Sequence, residues 1–242
     1  MSLAPGQMSL APGQRVRQFF WMHPEWWSIG LTTVAWAMVI HYAIAHDGHM
    51  HHIISFQVEF LNWCWMVVAM MVPLMLEPLR WVAFRSFRYR RHKAMLLFLV
   101  GFLLPWMITG VVVAWLRTLQ LRHSPLLASG MFGLAALWVL VPVRTRALVF
   151  CHRTVPLAPS GRKADRDCVR FSFLLGSSCV VTCGFLMLAC ILTGHNLIAM
   201  VGGAMLGVME RRSFRPPIRR IFLGALLLAV WFLLPINNAM LP

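Results

Sequence analysis

Long apolar stretches, bounded by arginines, prolines and short polar connections, constrain this 242-residue chain more than any other feature. About 20 apolar residues in a helix fit the hydrocarbon core of a bilayer, where the helix satisfies its backbone hydrogen bonds without water. Seven stretches reach or approach that length, at 26–45, 57–79, 94–116, 126–143, 171–193, 196–209 and 221–235. The expected architecture is therefore all-α, a polytopic helical membrane bundle of about seven transmembrane helices. A composition of 60% hydrophobic against 12% charged residues, with mean hydropathy +0.71, excludes an ordinary soluble domain. The sixth stretch contains Gly202, Gly203 and Gly207, and the seventh starts after Pro216 and Pro217, so a re-entrant hairpin is the alternative for these two.

Residues 1–22 are expected to be a disordered tail on the cytoplasmic side, and residues 23–242 a single helical membrane domain. The tail contains MSLAPGQ twice in tandem, at 1–7 and 8–14, a repeat too short and polar to form a structural unit. It lacks the basic segment, apolar core and small-residue site of a cleavable signal.

The net charge of +15 would suggest nucleic acid in a soluble protein. Here the basic residues lie between the apolar stretches. With the N-terminus inside, all 22 Lys and Arg residues fall in cytoplasmic segments except Arg117 and Arg122. That asymmetry orients the chain and places its charge against anionic lipid, so no nucleic-acid partner is needed. The lipid bilayer is the expected partner, and the localisation is a bacterial inner membrane.

Two sets of residues suggest metal chemistry. The first outer loop carries His46, His49, His51 and His52 with Asp47 and Met50, and His41 lies just upstream. Imidazole binds copper, zinc and nickel, and a thioether adds softness suited to Cu(I). The plain alternative is a solvated loop. In the fifth stretch Cys179, Cys183 and Met187 follow i, i+4, i+8 spacing, which stacks two thiols and a thioether on one helical stripe beside Cys190. Soft ligands of this kind select Cu(I), whereas simple packing of polarizable side chains accounts equally well for the spacing alone. Met66 and Met70, near Cys64, Met71 and Met75 in the second stretch, lie at a comparable depth.

Several enzyme classes lack their parts. Haem would need axial imidazoles at matched depths, and only His41 lies within a stretch. Glu77 and Glu210 fall at cytoplasmic ends, which leaves no midplane carboxylate for a proton relay. Ser177 and Ser178 have no histidine at their depth for serine catalysis. A metal-dependent enzyme built on His46, Asp47, His49, His51 and His52 remains conceivable on chemistry alone, with no substrate indicated.

The run from Trp65 to Pro73, with its paired Met70 and Met71, resembles the signature of a bacterial domain-of-unknown-function family of predicted metal-binding integral membrane proteins, some of them labelled copper chaperones. Pro142, Arg144, Leu148, Cys151-His152-Arg153 and Pro156 resemble that family's stretch after the fourth span. Gly176, Cys179, Cys183 and Leu186-Met187 are similar to its cysteine helix, and Glu210-Arg211 stands where the family has Glu-Lys. The resemblance implies copper binding, with Cys151 joining Cys179 and Cys183 as candidate ligands and Met187 and His152 as auxiliaries. This chain has Ala147 and Thr182 where the family has cysteines, and Arg144 where it has lysine. The expected function is membrane copper binding or delivery, with the histidine loop capturing the ion and the Cys/Met stripe holding Cu(I). The alternative is an accessory or assembly subunit docked on a larger membrane complex, such as an oxidoreductase.

Overall fold

The computed structural model describes residues 13, 22–46, 55–118, 125–153, 155–212 and 218–234. Apart from Gly13 and Met22, the expected disordered tail lies outside the described residues, as do His49, His51 and His52. The described part is all helical, without a strand. Its helices are α1 (Trp26–His46), α2 (Phe56–Met71), α3 (Leu76–Arg85), α4 (Arg91–Thr118), α5 (Pro125–Trp138), α6 (Pro142–Cys151), α7 (Gly161–Leu192), α8 (Leu197–Arg212) and α9 (Ile218–Leu233).

Among the described residues, four stretches are long and apolar enough to cross a membrane: Trp26–Ile44, Phe56–Arg85, Arg88–Arg117 and Gly161–Leu192. The second joins α2 to α3 through one 3₁₀ turn at Pro73–Met75, because Pro73 has no N–H to continue the helical ladder. The fourth of the expected stretches is broken rather than continuous. Leu126–Trp138 and Pro142–Cys151 pass the test only as a pair, bent by 76°. Pro142 opens α6 and holds Val141 in an extended conformation, so helical geometry cannot run through the junction. α7 begins ten residues before the expected boundary, with a first turn that carries Arg162 and Lys163. α8 and α9 have 16 residues each and fall short of the length test.

α7 is the hub, packed on by α4, α5, α6 and α8, while α1 lies against α2 at the periphery. The closest approach is between α4 and α7. A methyl group added at Gly176 would stand 2.4 Å from the Phe102 carbonyl oxygen, and one added at Gly101 would overlap the Ser172 hydroxyl. Small residues let two backbones meet in this way, gaining dispersion contacts where helices cannot rely on the hydrophobic effect. Around this seam Phe98, Phe102, Trp106, Met66, Leu175 and Met187 are almost wholly buried. The molecule's outer surface is also apolar: Ile29, Val34 and Ile44 on α1, Leu96, Val100 and Ile108 on α4, and Leu223 and Leu227 on α9 are exposed.

Several polar groups within the helices find internal partners. Thr109 donates to the Pro105 carbonyl one turn earlier on the same helix, at 2.9 Å. Ser129 on α5 donates to the Ala229 carbonyl on α9 at 2.8 Å, and the Trp138 indole to the Val181 carbonyl at 2.8 Å. Such pairing is required wherever water is absent.

Because Gly176 faces backbone rather than a flexible side chain, Gly176→Val should force α4 and α7 apart at a cost of ~1–3 kcal/mol. The measurement is thermal unfolding of the detergent-purified protein; an unchanged midpoint would show that the seam tolerates separation.

Candidate metal centre

The bend after α5 turns α6 back against α7, and this brings Cys151 to the two cysteines of the long helix. Cys151, Cys179 and Cys183 all line one cavity of about 20 Å³, together with Met75, Leu148, Thr182, Glu210 and Arg211. The i, i+4 spacing does place Cys179 and Cys183 on one stripe, and both face the same cavity. All three cysteines are buried. The cavity has room for one water-sized occupant.

Methionine enters from a different register of α2 than the sequence suggests. Met71, not Met70, meets the cysteine stripe, with its Sδ 3.7 Å from Cys179 Sγ, and Met75 one turn on reaches the cavity wall. Met70 is directed instead toward α8. A methyl group added at Gly203 would stand 3.2 Å from Met70 Cε and 3.3 Å from Cys190 Sγ, so those two side chains share a separate small space. The Cys190 thiol donates to the Ala199 carbonyl at 3.5 Å. Met66 and Met187 are fully buried in the core, and neither lines the cavity. His152 is exposed, and its ring nitrogens lie 3.0 Å from the Leu148 carbonyl and 3.1 Å from the Arg211 carbonyl, so the imidazole is held at the surface. His46 ends α1, and the other histidines of the loop lie outside the described residues. Among the described residues no group of three or more His, Cys, Asp or Glu side chains is arranged to hold a metal ion. The sulfur pairs, rather than a preformed tetrahedral shell, are therefore the ligand geometry on offer.

A buried ion pair forms the wall between this cavity and a neighbouring one. Arg144 Nη2 donates to Glu210 Oε2 at 2.7 Å and lies 2.6 Å from Oε1, while its Nε donates to the Thr182 carbonyl at 3.1 Å. One guanidinium thus joins α6, α7 and α8. Glu210, Thr182 and Cys183 line both cavities, the second also being about 20 Å³. Thr182, which stands where the resemblance expects a cysteine, has its hydroxyl 3.6 Å from Cys183 Sγ and 3.1 Å from the Cys179 carbonyl, to which it donates.

Sequence reasoning overlooked a second buried pair at the Phe56 end of the bundle. Arg117 Nη2 donates to Glu59 Oε1 at 3.3 Å, with Asn62 one turn further along α2. Glu59 is an acidic residue inside an expected span, and Arg117 is one of the two basic residues excluded from the cytoplasmic set. Those two signals together point to a pair. His195, in the turn between α7 and α8, is buried with φ +63°, and its ring lies 6.2 Å from that of Tyr42.

Comparison with known families gives one match: the family model PpoB2, described as a copper chaperone, covers residues 60–234, from α2 to the end of α9. No curated protein and no solved structure matches the chain.

Removing one partner of a buried ion pair leaves an uncompensated charge, whereas removing both does not. Glu210→Gln or Arg144→Met alone should lower stability by ~3–5 kcal/mol, and the joint Arg144→Met/Glu210→Leu change by less than either. Chemical unfolding of the three variants tests this; simple additivity would show that the pair is not coupled.

Proposed function

The chain belongs to the copper-chaperone family whose model covers residues 60–234, and from that membership we propose that it is a multi-pass inner-membrane protein that binds Cu(I) and delivers it to a membrane partner. The observation that carries this reading is the convergence of Cys151, Cys179 and Cys183 on one small cavity, with the Met71 thioether against Cys179. Thiolate and thioether donors suit a soft monovalent ion, and the filled d shell of Cu(I) accepts two or three sulfur ligands without demanding a tetrahedral set. Cys179 and Cys183 supply the thiolates, Cys151 closes the site from α6, and Met71 or Met75 adds a neutral donor. Water has little access, which protects Cu(I) from oxidation. The histidine loop, His46 to His52, collects the ion on the outer face.

The layout proposed is seven spans with the N-terminus in the cytoplasm. The distribution of Lys and Arg supports it, and so does the apolar outer surface of the bundle. In this layout α5 and α6 together make one bent crossing. α8 and α9, each about 24 Å long, cross where the bilayer is locally thin. The recipient is a membrane oxidoreductase or another membrane complex, which would accompany the protein in gentle detergent extraction.

Two measurements test the reading. A reporter inserted between Arg212 and Ile218 should be cytoplasmic if α8 crosses; a reporter on the outer face would show that α8 does not cross and would overturn the seven-span layout. Elemental analysis of the purified protein should find bound copper, and the content should fall by about one ion per chain in Cys179→Ser/Cys183→Ser at unchanged helix content. Copper content left unchanged by the double substitution would remove the cavity as a site.

A further inference from the structure

Cys64 lies on α2 two turns before Met71, and the i, i+7 spacing puts both on one stripe of that helix, about 10 Å apart along its axis. Each makes a thiol–thioether contact across a helix interface. Met71 meets Cys179 of α7 at 3.7 Å, and the Cys64 Sγ lies 3.5 Å from Met107 Sδ of α4. The helix that supplies the thioether in one pair supplies the thiol in the other.

The register of the Cys64 pair is set by its chain neighbours. The Trp63 indole N–H donates to the Trp106 carbonyl at 2.8 Å, and the two indole rings lie 6.0 Å apart. Gly110 makes room for this contact, since a methyl group there would stand 2.2 Å from Trp63 Cδ1. The residues immediately before Cys64 and Met107 are thus locked together, which holds the two sulfurs in place whether or not they bind anything. Cys64 and Met107 are also half-buried, unlike Cys179, so the two sulfurs are not sealed within the core.

Resting on the copper reading above, we propose that Cys64 and Met107 form a second soft-metal site, two helical turns nearer the Phe56 end than the Cys179 cavity, which Cu(I) occupies on its way to that cavity. Cys64 gives up its thiol proton to water as the copper–sulfur bond forms, and Met107 contributes a lone pair with no change of charge. The ion remains monovalent throughout, so neither oxidant nor reductant is involved. A thiolate with one thioether gives the two-coordinate sulfur geometry that Cu(I) and Ag(I) accept and that harder ions do not favour.

The test is titration of the full detergent-purified chain with Ag(I), a redox-silent monovalent probe. The native protein should take about two ions per chain; Cys64→Ser, Met107→Leu and Cys179→Ser/Cys183→Ser should each take about one. Met107→Leu nearly conserves volume, so it reports on the thioether rather than on packing. Native stoichiometry in both Cys64→Ser and Met107→Leu would overturn the second site while leaving the cavity standing. Loss in those two variants but not in Cys179→Ser/Cys183→Ser would uphold the second site and overturn the cavity. A native protein that takes no Ag(I) would overturn both.

Discussion

Arg144 holds three helices at one point. Its guanidinium pairs with Glu210 of α8 and its Nε reaches the Thr182 carbonyl of α7, while its own helix, α6, carries Cys151 seven residues further on. This contact fixes the short α6 against α7 and α8 after the 76° bend, together with the His152 ring at the Arg211 carbonyl. In a low-dielectric interior such a pair gains little net stability, because both ions have lost their hydration. What it supplies is geometry. A guanidinium with fixed donors, satisfied by a carboxylate and a carbonyl, admits few alternative arrangements of the three helices.

Polar pairing of this kind recurs in the rest of the bundle. Serine and threonine hydroxyls donate to backbone carbonyls, indole N–H groups span helix interfaces, and Glu59 and Arg117 neutralise each other at the opposite end from Glu210. Sulfur is exempt from that demand. Thiols and thioethers lose little on burial, so cysteine and methionine can occupy the core at low cost while still offering soft lone pairs to a metal. A chain that handles a soft cation can therefore keep its ligands within its hydrophobic packing.

Part of the candidate site's geometry was legible in the sequence. The spacing of Cys179 and Cys183 placed both thiols on one stripe, and the resemblance added Cys151. The methionines show where such reasoning stops. Met70 and Met71 are adjacent, separated by about 100° around the helix, and either could face α7. The rotation of α2 decides between them. That rotation depends on Trp63 docking against Gly110 and Trp106, residues more than 40 positions away. Met187 continued the stripe in sequence, yet it packs in the core beyond the cavity wall.

Local chemistry is what the sequence by itself determined: helical segments from apolar runs, the uneven distribution of arginine, and the supply of soft ligands. These follow from interactions within a few residues or from the solvent a segment prefers. The tertiary structure alone decided which faces meet. It bent α6 back onto α7, chose Met71 over Met70, and paired Glu59 with Arg117 and Cys64 with Met107. The physical reason is that helix rotation and approach are set by close packing and buried polar pairing between distant residues, and the period of a single helix carries no information about its partner.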